Sequence, residues 1–311
     1  MSWKSIQEAV MKKGIEDSLT LCVEAQYLFG SCMERIQQEH LPEDSPAAYC
    51  KSLVARKIGP SGPWDPSLVD RITLNSHIYL CAAEQHLRGL ETLLRGNPYG
   101  LSVGPVARSV AEAAGRAAWL LDNDLHNDRI GARKRVARLL LDQEENARIY
   151  KRLSYGLNHP ERAKSGDHYS NARDAICKPG MFYPSEIVAY ERTGQIELAG
   201  ESLPGPSGFV QAAARIFGGD ANETSASYGY LSAMTHPCLF ALIEMLVDAG
   251  DVDPSGGVIP LREDDRAVKT FIWNAVGDFR NGWRAWMSWV NGGTSEVQAL
   301  YDAYQRLDAD E

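Results

Sequence analysis

Three polar side chains recur every four residues in the stretch 227–237, SYGYLSAMTHP: Tyr228, Ser232 and His236. On a helix of 3.6 residues per turn, this spacing places them in one stripe among apolar neighbours. An imidazole in such a stripe can exchange protons near neutral pH, and a hydroxyl beside it can act as a nucleophile. The stretch therefore predicts a helix with His236 and Ser232 as candidate catalytic groups and Tyr228 beside them.

The stretch 105–121, PVARSVAEAAGRAAWLL, has the same pattern, with Arg108, Glu112 and Arg116 four residues apart. Glu112 would orient His236 or act as a partner base, and the two arginines would hold an anion such as a phosphate or a carboxylate. The alternative is a buried structural network in which Arg108 and Glu112 pair along the helix. Both interpretations stay open, and both require the two stripes to face each other.

Aromatic residues recur along the predicted helix 261–290. Phe279, Trp283, Trp286 and Val290 follow the spacing i, i+4, i+7 and i+11, which places them on one face. Such a stripe is typical of a protein core or a dimer interface. If a pocket opens between the helices instead, Trp283 and Trp286 would line it and bind an apolar small molecule.

The composition is typical of a globular protein without a membrane span. The chain has 311 residues, 44% hydrophobic and 23% charged, and its 32 basic and 41 acidic side chains give a net charge of −9. This balance disfavours a nucleic-acid binder driven by overall positive charge. The longest apolar run, 238–247, is far shorter than the ~20 residues that a bilayer requires. Because the start shows no targeting pattern, we expect a cytoplasmic location.

Neither the cysteines nor the short motifs predict a bound metal or cofactor. The six cysteines are widely spaced and form no CxxC pair, so we expect reduced thiols. The sequence has no HExxH, no Glu-x-x-His repeat and no Cys/His cluster. It also lacks the phosphate loops GxxxxGK[ST] and GxGxxG. We therefore expect no metal and no cofactor.

Helical periodicity and its breakers divide the chain into long amphipathic segments. Asp65 followed by Pro66 predicts a helix start, an N-cap with proline at the first helical position. Pro237 is expected to kink or divide its helix. No convincing strand pattern appears, so the predicted fold class is all-α. The predicted helices cover about 5–38, 47–58, 67–95, 104–122, 128–153, 222–249, 261–290 and 295–307.

Two neighbouring helices of this series differ in kind. The helix 104–122 is rich in Ala and Gly, including Gly115, which lets a neighbouring helix approach closely and favours the middle of a bundle. The helix 128–153 is rich in arginine. Its basic face is either a surface that tracks an RNA backbone or a solvated face with i,i+4 pairs such as Glu144 with Arg148.

Periodicity fails between residues 154 and 219, where turn-rich sequence leaves only short helical pieces such as 185–192. A segment of this kind inside a compact domain is a small subdomain, a lid or a partner surface. We expect one domain overall. Its predicted parts are N-terminal helices (1–60), the first half of a bundle (65–153), an irregular insertion or lid (154–220) and the second half of the bundle (221–311).

The stretch ARSVAEAAGRAAWLLDNDL, its arginine-rich successor and the later YGYLSAMTHP resemble uncharacterised bacterial helical proteins, common in actinobacteria, of the broad HEPN (higher eukaryotes and prokaryotes nucleotide-binding) class. The resemblance covers about 102–153 and 222–249. It implies a bundle of four or more helices, often dimeric. Active members of the class are metal-independent RNases, and others bind nucleotides or RNA or act as scaffolds.

The nuclease members carry Arg-x(4–6)-His on a late helix. Here His236 matches the histidine, and Gly229, Tyr230 and Leu231 occupy the three positions allowed for the arginine. The resemblance therefore does not predict RNase activity of the usual kind on this helix.

These observations give one leading hypothesis and two alternatives. The first is a HEPN-like homodimer that binds a nucleotide, RNA or another anionic ligand at the interhelical polar site. The second is a cofactor-independent enzyme of specialised metabolism with an apolar bundle pocket and His236 and Glu112 as acid and base. The third is a non-catalytic scaffold or antitoxin-like partner. The candidate catalytic residues are His236, Glu112 and Ser232, and the candidate ligand-binding residues are Arg108, Arg116, Tyr228, Trp283 and Trp286.

Overall fold

The structure of this chain, a computed structural model, describes residues 3–38, 42–96, 102–121, 128–156, 159–190, 194–216, 228–229, 232 and 265–309. About 81% of these residues are helical. The described part of the chain is therefore mostly helical, as the sequence predicts. Most of the predicted helix 222–249, including the expected kink at Pro237, lies outside the described residues.

Most of the helical segments that the structure describes overlap predicted helices. In chain order they are α1 (Trp3–Gln38), α2 (Pro46–Val54), α3 (Ser67–Gly96), α4 (Val103–Leu121), α5 (Arg129–Leu153), α6 (His159–Ile176), α7 (Pro206–Ile216), α8 (Asp265–Val290) and α9 (Ser295–Ala309). Asp65 starts α3 as predicted, because its carboxylate accepts a hydrogen bond of 2.9 Å from the backbone N–H of Ser67.

Helix α4 lies at the centre of the described fold. It packs against α3, α7 and α8, and α1 packs along α8, α3 and α9. Helix α5 lies outside this group and contacts α2, α3, α4 and α6. The small side chains of Ala107, Ala114 and Ala118 are fully buried on α4, so its neighbours approach its backbone closely.

Two glycines permit the closest of these approaches. A Cβ atom at Gly115 would lie 2.7 Å from the backbone carbonyl of Phe209 on α7. A Cβ atom at Gly282 on α8 would lie 2.6 Å from the backbone oxygen of Ala114. Both distances are shorter than the van der Waals contact distance of a carbon atom. The backbone of α4 is therefore in direct contact with α7 and α8 at these glycines.

We expect Gly282→Ala to lower the free energy of unfolding by about 1–3 kcal/mol, because α8 must move away from α4 to admit a methyl group. Gly277, on the same helix, is the control: a Cβ there would meet nothing within 4 Å. Gly277→Ala should raise the free energy of unfolding by about 0.5–1 kcal/mol through helix propensity. Urea denaturation of both variants measures the difference, and equal stabilities would contradict the close packing.

The segment predicted to be irregular contains an 18-residue helix, α6. Most of the residues of α6 are exposed. Its sequence therefore lacks the apolar stripe that predicts an amphipathic helix. Polar contacts hold it against α5. The hydroxyls of Ser154 and Ser165 lie 2.5 Å apart, the Tyr150 hydroxyl donates to Glu161 at 3.2 Å, and the Lys151 ammonium lies 4.5 Å from the ring centre of Tyr169.

The prediction of a short helix at 185–192 is wrong. A single 3-10 turn, Pro184–Glu186, leads directly into a strand, β3 (Ile187–Ala189), whose β-branched residues favour extended backbone. Strand β3 pairs antiparallel with β4 (Ile196–Leu198), which pairs with β5 (Glu201–Ser202). Ala199 and Gly200 join β4 to β5 with φ of 53° and 76°, the left-handed conformation of a tight hairpin turn.

A second hairpin occupies the loop predicted at 59–65. Strands β1 (Lys57–Gly59) and β2 (Gly62–Pro63) pair antiparallel, and α2 ends at Val54, before the predicted limit. Both sheets are too short to give the alternating pattern by which strands are recognised in sequence. They do not change the mostly helical character of the described chain.

Ion pairs attach the sheet β3–β5 to α5. Arg138 Nε donates to Glu201 at 2.6 Å, and these side chains are only 8% and 10% exposed. Arg133 Nη2 donates to Glu186 at 2.6 Å, and Arg133 Nη1 donates to the carbonyl of Ile58 at 2.6 Å. This part of the predicted insertion is therefore built into the bundle surface through buried contacts.

Candidate functional site

Four of the predicted site residues lie together where α4 meets residues 228 and 232. Arg108 Nε donates to Glu112 Oε1 at 2.6 Å along α4. The Tyr228 hydroxyl donates to the same oxygen at 2.5 Å, and Arg108 Nη1 donates to Ser232 Oγ at 3.4 Å. The Arg108 guanidinium also lies 5.3 Å from the centre of the Tyr228 ring. The two polar stripes thus meet, as the sequence predicts for these four residues.

Burial fixes the protonation of Tyr228. Its side chain packs with Ala111 and Val210 and is 6% exposed. Burial raises the pKa of Tyr228 well above its ordinary value, and the hydrogen bond to Glu112 raises it further. The phenol therefore stays protonated at neutral pH and remains a hydrogen-bond donor to Glu112.

His236, the predicted acid–base group, lies outside the described residues. The catalytic role given to His236 stays a prediction.

Arg116 belongs to a different cluster. Its Nε donates to Asp142 Oδ1 on α5 at 2.7 Å. The Tyr79 hydroxyl on α3 lies 3.0 Å from each oxygen of Asp142, and Asn146 Nδ2 donates to that hydroxyl at 2.8 Å. The third member of the α4 stripe therefore pairs with α5, one helical turn beyond the Arg108–Glu112 pair.

Asp142 is the most deeply buried charged group of this second cluster. Its exposed fraction is 0%. Burial raises its pKa, while Arg116 and the Tyr79 hydroxyl act in the opposite direction by stabilising the carboxylate. An acid in this position is costly to ionise, so its partners are essential to it.

A cavity of about 410 Å³ lies beside both clusters. It is bounded by α3, α4 and α5 and by the segment that leads into α7. Glu112 and Arg116 contribute polar groups from successive turns of α4, and Phe209 contributes an aromatic wall. The remaining lining residues are Tyr79, His86, Ser109, Ala113, Glu145, Ile149, Leu203, Pro204 and Pro206.

The aromatic stripe of α8 packs inside the described fold. Trp283 is 0% exposed, with its ring centre 5.4 Å from that of Phe29. Trp286 is 5% exposed, and its ring lies 5.4 Å from that of His77. Neither ring lines the cavity beside α4. Their packing is that of core residues, one of the two predicted alternatives, and the ligand-binding role proposed for them stays a prediction.

The arginine-rich helix α5 turns much of its basic face inward. Arg135 is 2% exposed, donates to the carbonyl of Leu121 at 2.7 Å and lies over the ring of Trp289. Arg148 binds Glu145 through a 2.8 Å bond from Nε, so the predicted pairing of Arg148 with Glu144 is not the contact formed. Glu145, three residues before Arg148, is the more accessible of the two acids, because Glu144 is buried.

Sequence reasoning missed the second cluster and the cavity wall. Asp142 follows the apolar run Leu139–Leu141, and a single acid at the end of a buried stripe is a signal for a paired carboxylate. Tyr79 and Phe209 gave no such signal, since an aromatic residue on an amphipathic helix is common in any core.

Comparisons with known proteins found no matching family, no matching curated protein and no matching solved structure. Within the described ranges, His, Cys, Asp and Glu side chains form no group that could hold a metal ion. Among the helices described, none is both long and apolar enough to cross a membrane.

Proposed function

We propose that this chain binds a small organic molecule in the cavity beside α4. The observation that supports the proposal is the convergence of Glu112, Arg116 and Phe209 on one space of about 410 Å³. This volume lies in the range of small-molecule sites, about 300–1,000 Å³, and such sites combine apolar walls with a few placed polar groups. The bound molecule has a polar end at α4 and an apolar body against the segment 203–209.

The polar groups of this site are held in place before a ligand arrives. Glu112 is fixed by Arg108 and by the protonated hydroxyl of Tyr228. Arg116 is fixed from behind by the buried carboxylate of Asp142. Groups fixed in this way lose little conformational entropy on binding, which favours affinity.

The test is a variant that fills the cavity. Ala113 lines it and is half-buried, so Ala113→Phe places a phenyl ring in the space without cutting into the core. We expect fragments that bind the parent protein in ligand-observed NMR to bind this variant at least about tenfold more weakly, a loss of about 1.4 kcal/mol. Thermal shift with the same fragments gives an independent readout.

Ala147→Phe is the matched control. Ala147 is also half-buried on a helix, but it lies on the side of α5 opposite to Glu145 and Ile149, which line the cavity. It should leave fragment binding unchanged. Fragments that bind both variants as tightly as the parent protein would place their site elsewhere and overturn the proposal.

An enzyme is the second candidate, and the pairing of Glu112 with Tyr228 favours it. Glu112 lines the cavity, so its carboxylate can take a proton from a bound molecule while the phenol stabilises it from behind. If so, a ligand recovered from the parent protein should exchange a carbon-bound hydrogen for deuterium when it is incubated with that protein in D₂O, which mass spectrometry detects. The same ligand stays unchanged on Glu112→Gln.

Several predictions from the sequence stay proposals. They are membership of the HEPN-like class, nucleotide or RNA binding, a homodimeric state, a cytoplasmic location and the scaffold or antitoxin alternative. The engagement of Arg133, Arg135 and Arg138 by carboxylates and carbonyls leaves fewer cations on α5 for an RNA backbone. Binding of a labelled RNA tests the RNA-binding proposal, and sedimentation equilibrium tests the dimer proposal.

A further inference from the structure

Three ion pairs border the cavity, and they differ in whether the acid or the arginine lines it. In the pairs Arg108–Glu112 and Arg148–Glu145, the carboxylate lines the cavity. Neither arginine of these two pairs is among the lining residues. Of these two ion pairs, therefore, only the carboxylates, Glu112 and Glu145, line the cavity.

Each of these carboxylates binds its arginine through a single oxygen. Arg108 and Tyr228 both donate to Oε1 of Glu112, at 2.6 and 2.5 Å. Arg148 donates from Nε and Nη2 to Oε2 of Glu145. Oε2 of Glu112 and Oε1 of Glu145 take no part in the contacts described for these side chains, and both residues line the cavity. An ionised carboxylate accepts through both oxygens, so each can receive a further donor.

The cation on the cavity wall, Arg116, is already balanced. Its Nε donates to the fully buried Asp142 at 2.7 Å. Its guanidinium also lies 5.1 and 5.2 Å from the ring centres of Tyr79 and Phe209. All three charged side chains on the wall are thus paired within the fold, but two of them, Glu112 and Glu145, are carboxylates and one, Arg116, is an arginine, so the lining favours a cationic ligand.

We infer that the ligand of this cavity is an organic cation: a protonated amine on an apolar body. This inference rests on the proposed function and narrows it. The ammonium group donates to Glu112 and Glu145, and the apolar body packs against Phe209, Leu203 and Ile149. The class is opposite in sign to the anion that the sequence predicts from Arg108 and Arg116, because Arg108 does not line the cavity and Arg116 faces two lining carboxylates.

The test compares two probes that share a phenyl body and differ in the sign of their charge, 2-phenylethylamine and 3-phenylpropionate, with adenosine monophosphate as a third. Isothermal titration calorimetry at pH 7 should give at least about tenfold tighter binding for the amine than for either anion. Glu112→Gln and Glu145→Gln should each weaken amine binding about tenfold, because each removes a charge-assisted hydrogen bond.

Glu91→Gln is the control variant: Glu91 also pairs with an arginine four residues away, Arg95, and although α3 contributes to the cavity wall, Glu91 is not one of the lining residues. It should leave amine binding unchanged. Tighter binding of 3-phenylpropionate or of the nucleotide, weakened by Ala113→Phe, would overturn the amine class and leave the proposed function standing. Amine binding that Ala113→Phe does not weaken would overturn both, and failure of the amine to bind at all would overturn the amine class alone.

Discussion

Replacing Asp142 with alanine should lower the free energy of unfolding by about 3 kcal/mol, because it leaves a buried guanidinium without its counter-ion. Arg116 Nε and the Tyr79 hydroxyl both lose their acceptor, a carboxylate that is fully buried. The Arg116 side chain is 17% exposed, so little solvent can replace the carboxylate. Urea denaturation followed by circular dichroism measures the loss.

Two further variants distinguish the stability that the buried Arg116–Asp142 pair contributes from that of an exposed ion pair. Asp70 pairs with Lys51, and these side chains are 57% and 46% exposed. Asp70→Ala should therefore cost under about 1 kcal/mol. The double variant Asp142→Leu with Arg116→Met replaces the pair by apolar side chains of similar size and should be more stable than Asp142→Ala alone. A cost for Asp142→Ala no larger than that for Asp70→Ala would contradict a buried, mutually dependent pair.

Local contacts along one helix were accessible from sequence. Arg108 and Glu112 are four residues apart, and any α-helix brings such residues side by side. Sequence patterning also predicts the helices 104–122 and 128–153, which the structure contains as α4 and α5. The meeting of the first of these with Tyr228 and Ser232 also followed, because polar residues on a mostly apolar stripe need polar partners.

The partner of Arg116 could not be predicted in this way. A four-residue step overshoots a helical turn by about 40°, so Arg116 is rotated by about 80° from Arg108. Side chains that look like one stripe in the sequence therefore face different neighbours, residue 228 for Arg108 and α5 for Arg116. The order of helices around α4 decides this contact, and periodicity does not reveal that order.

The segment between α5 and α7 escaped prediction for another reason. Helix α6 is held to α5 by hydroxyl, carboxylate and ammonium contacts, such as that between Ser154 and Ser165. An apolar-periodicity test does not register such contacts. The strands β3–β5 span two or three residues each and are stabilised by long-range ion pairs such as Arg138–Glu201. The same segment continues into Leu203 and Phe209 and contributes four of the twelve residues that line the cavity, and these were missed with it.

Asp278→Asn should stabilise the fold at pH 8 and have a smaller effect, about a third as large, at pH 5. Burial within α8 raises the pKa of Asp278 to about 7, with Arg280 opposing the shift. A carboxyl whose pKa is higher in the folded state favours folding fully below its unfolded pKa, near 4, and that contribution is lost as the pH rises through about 7. The free energy of unfolding should therefore fall between pH 4 and pH 7 in the parent protein.

The magnitude follows from the shift and from solvent screening. The difference between a folded pKa of about 7 and an unfolded pKa near 4 corresponds to about 4 kcal/mol of unfolding free energy. Because Asp278 is only half-buried, solvent screening reduces the stabilisation that we expect from Asp278→Asn to about 2 kcal/mol at pH 8. Asp65 provides a control of opposite sign, since hydrogen bonds from Ser67 lower the pKa of its carboxyl. Its contribution is present above pH 4 and is lost on acidification. If Asp278→Asn shifts stability equally at pH 5 and pH 8, the carboxyl is already ionised in the folded protein and the cause lies in packing.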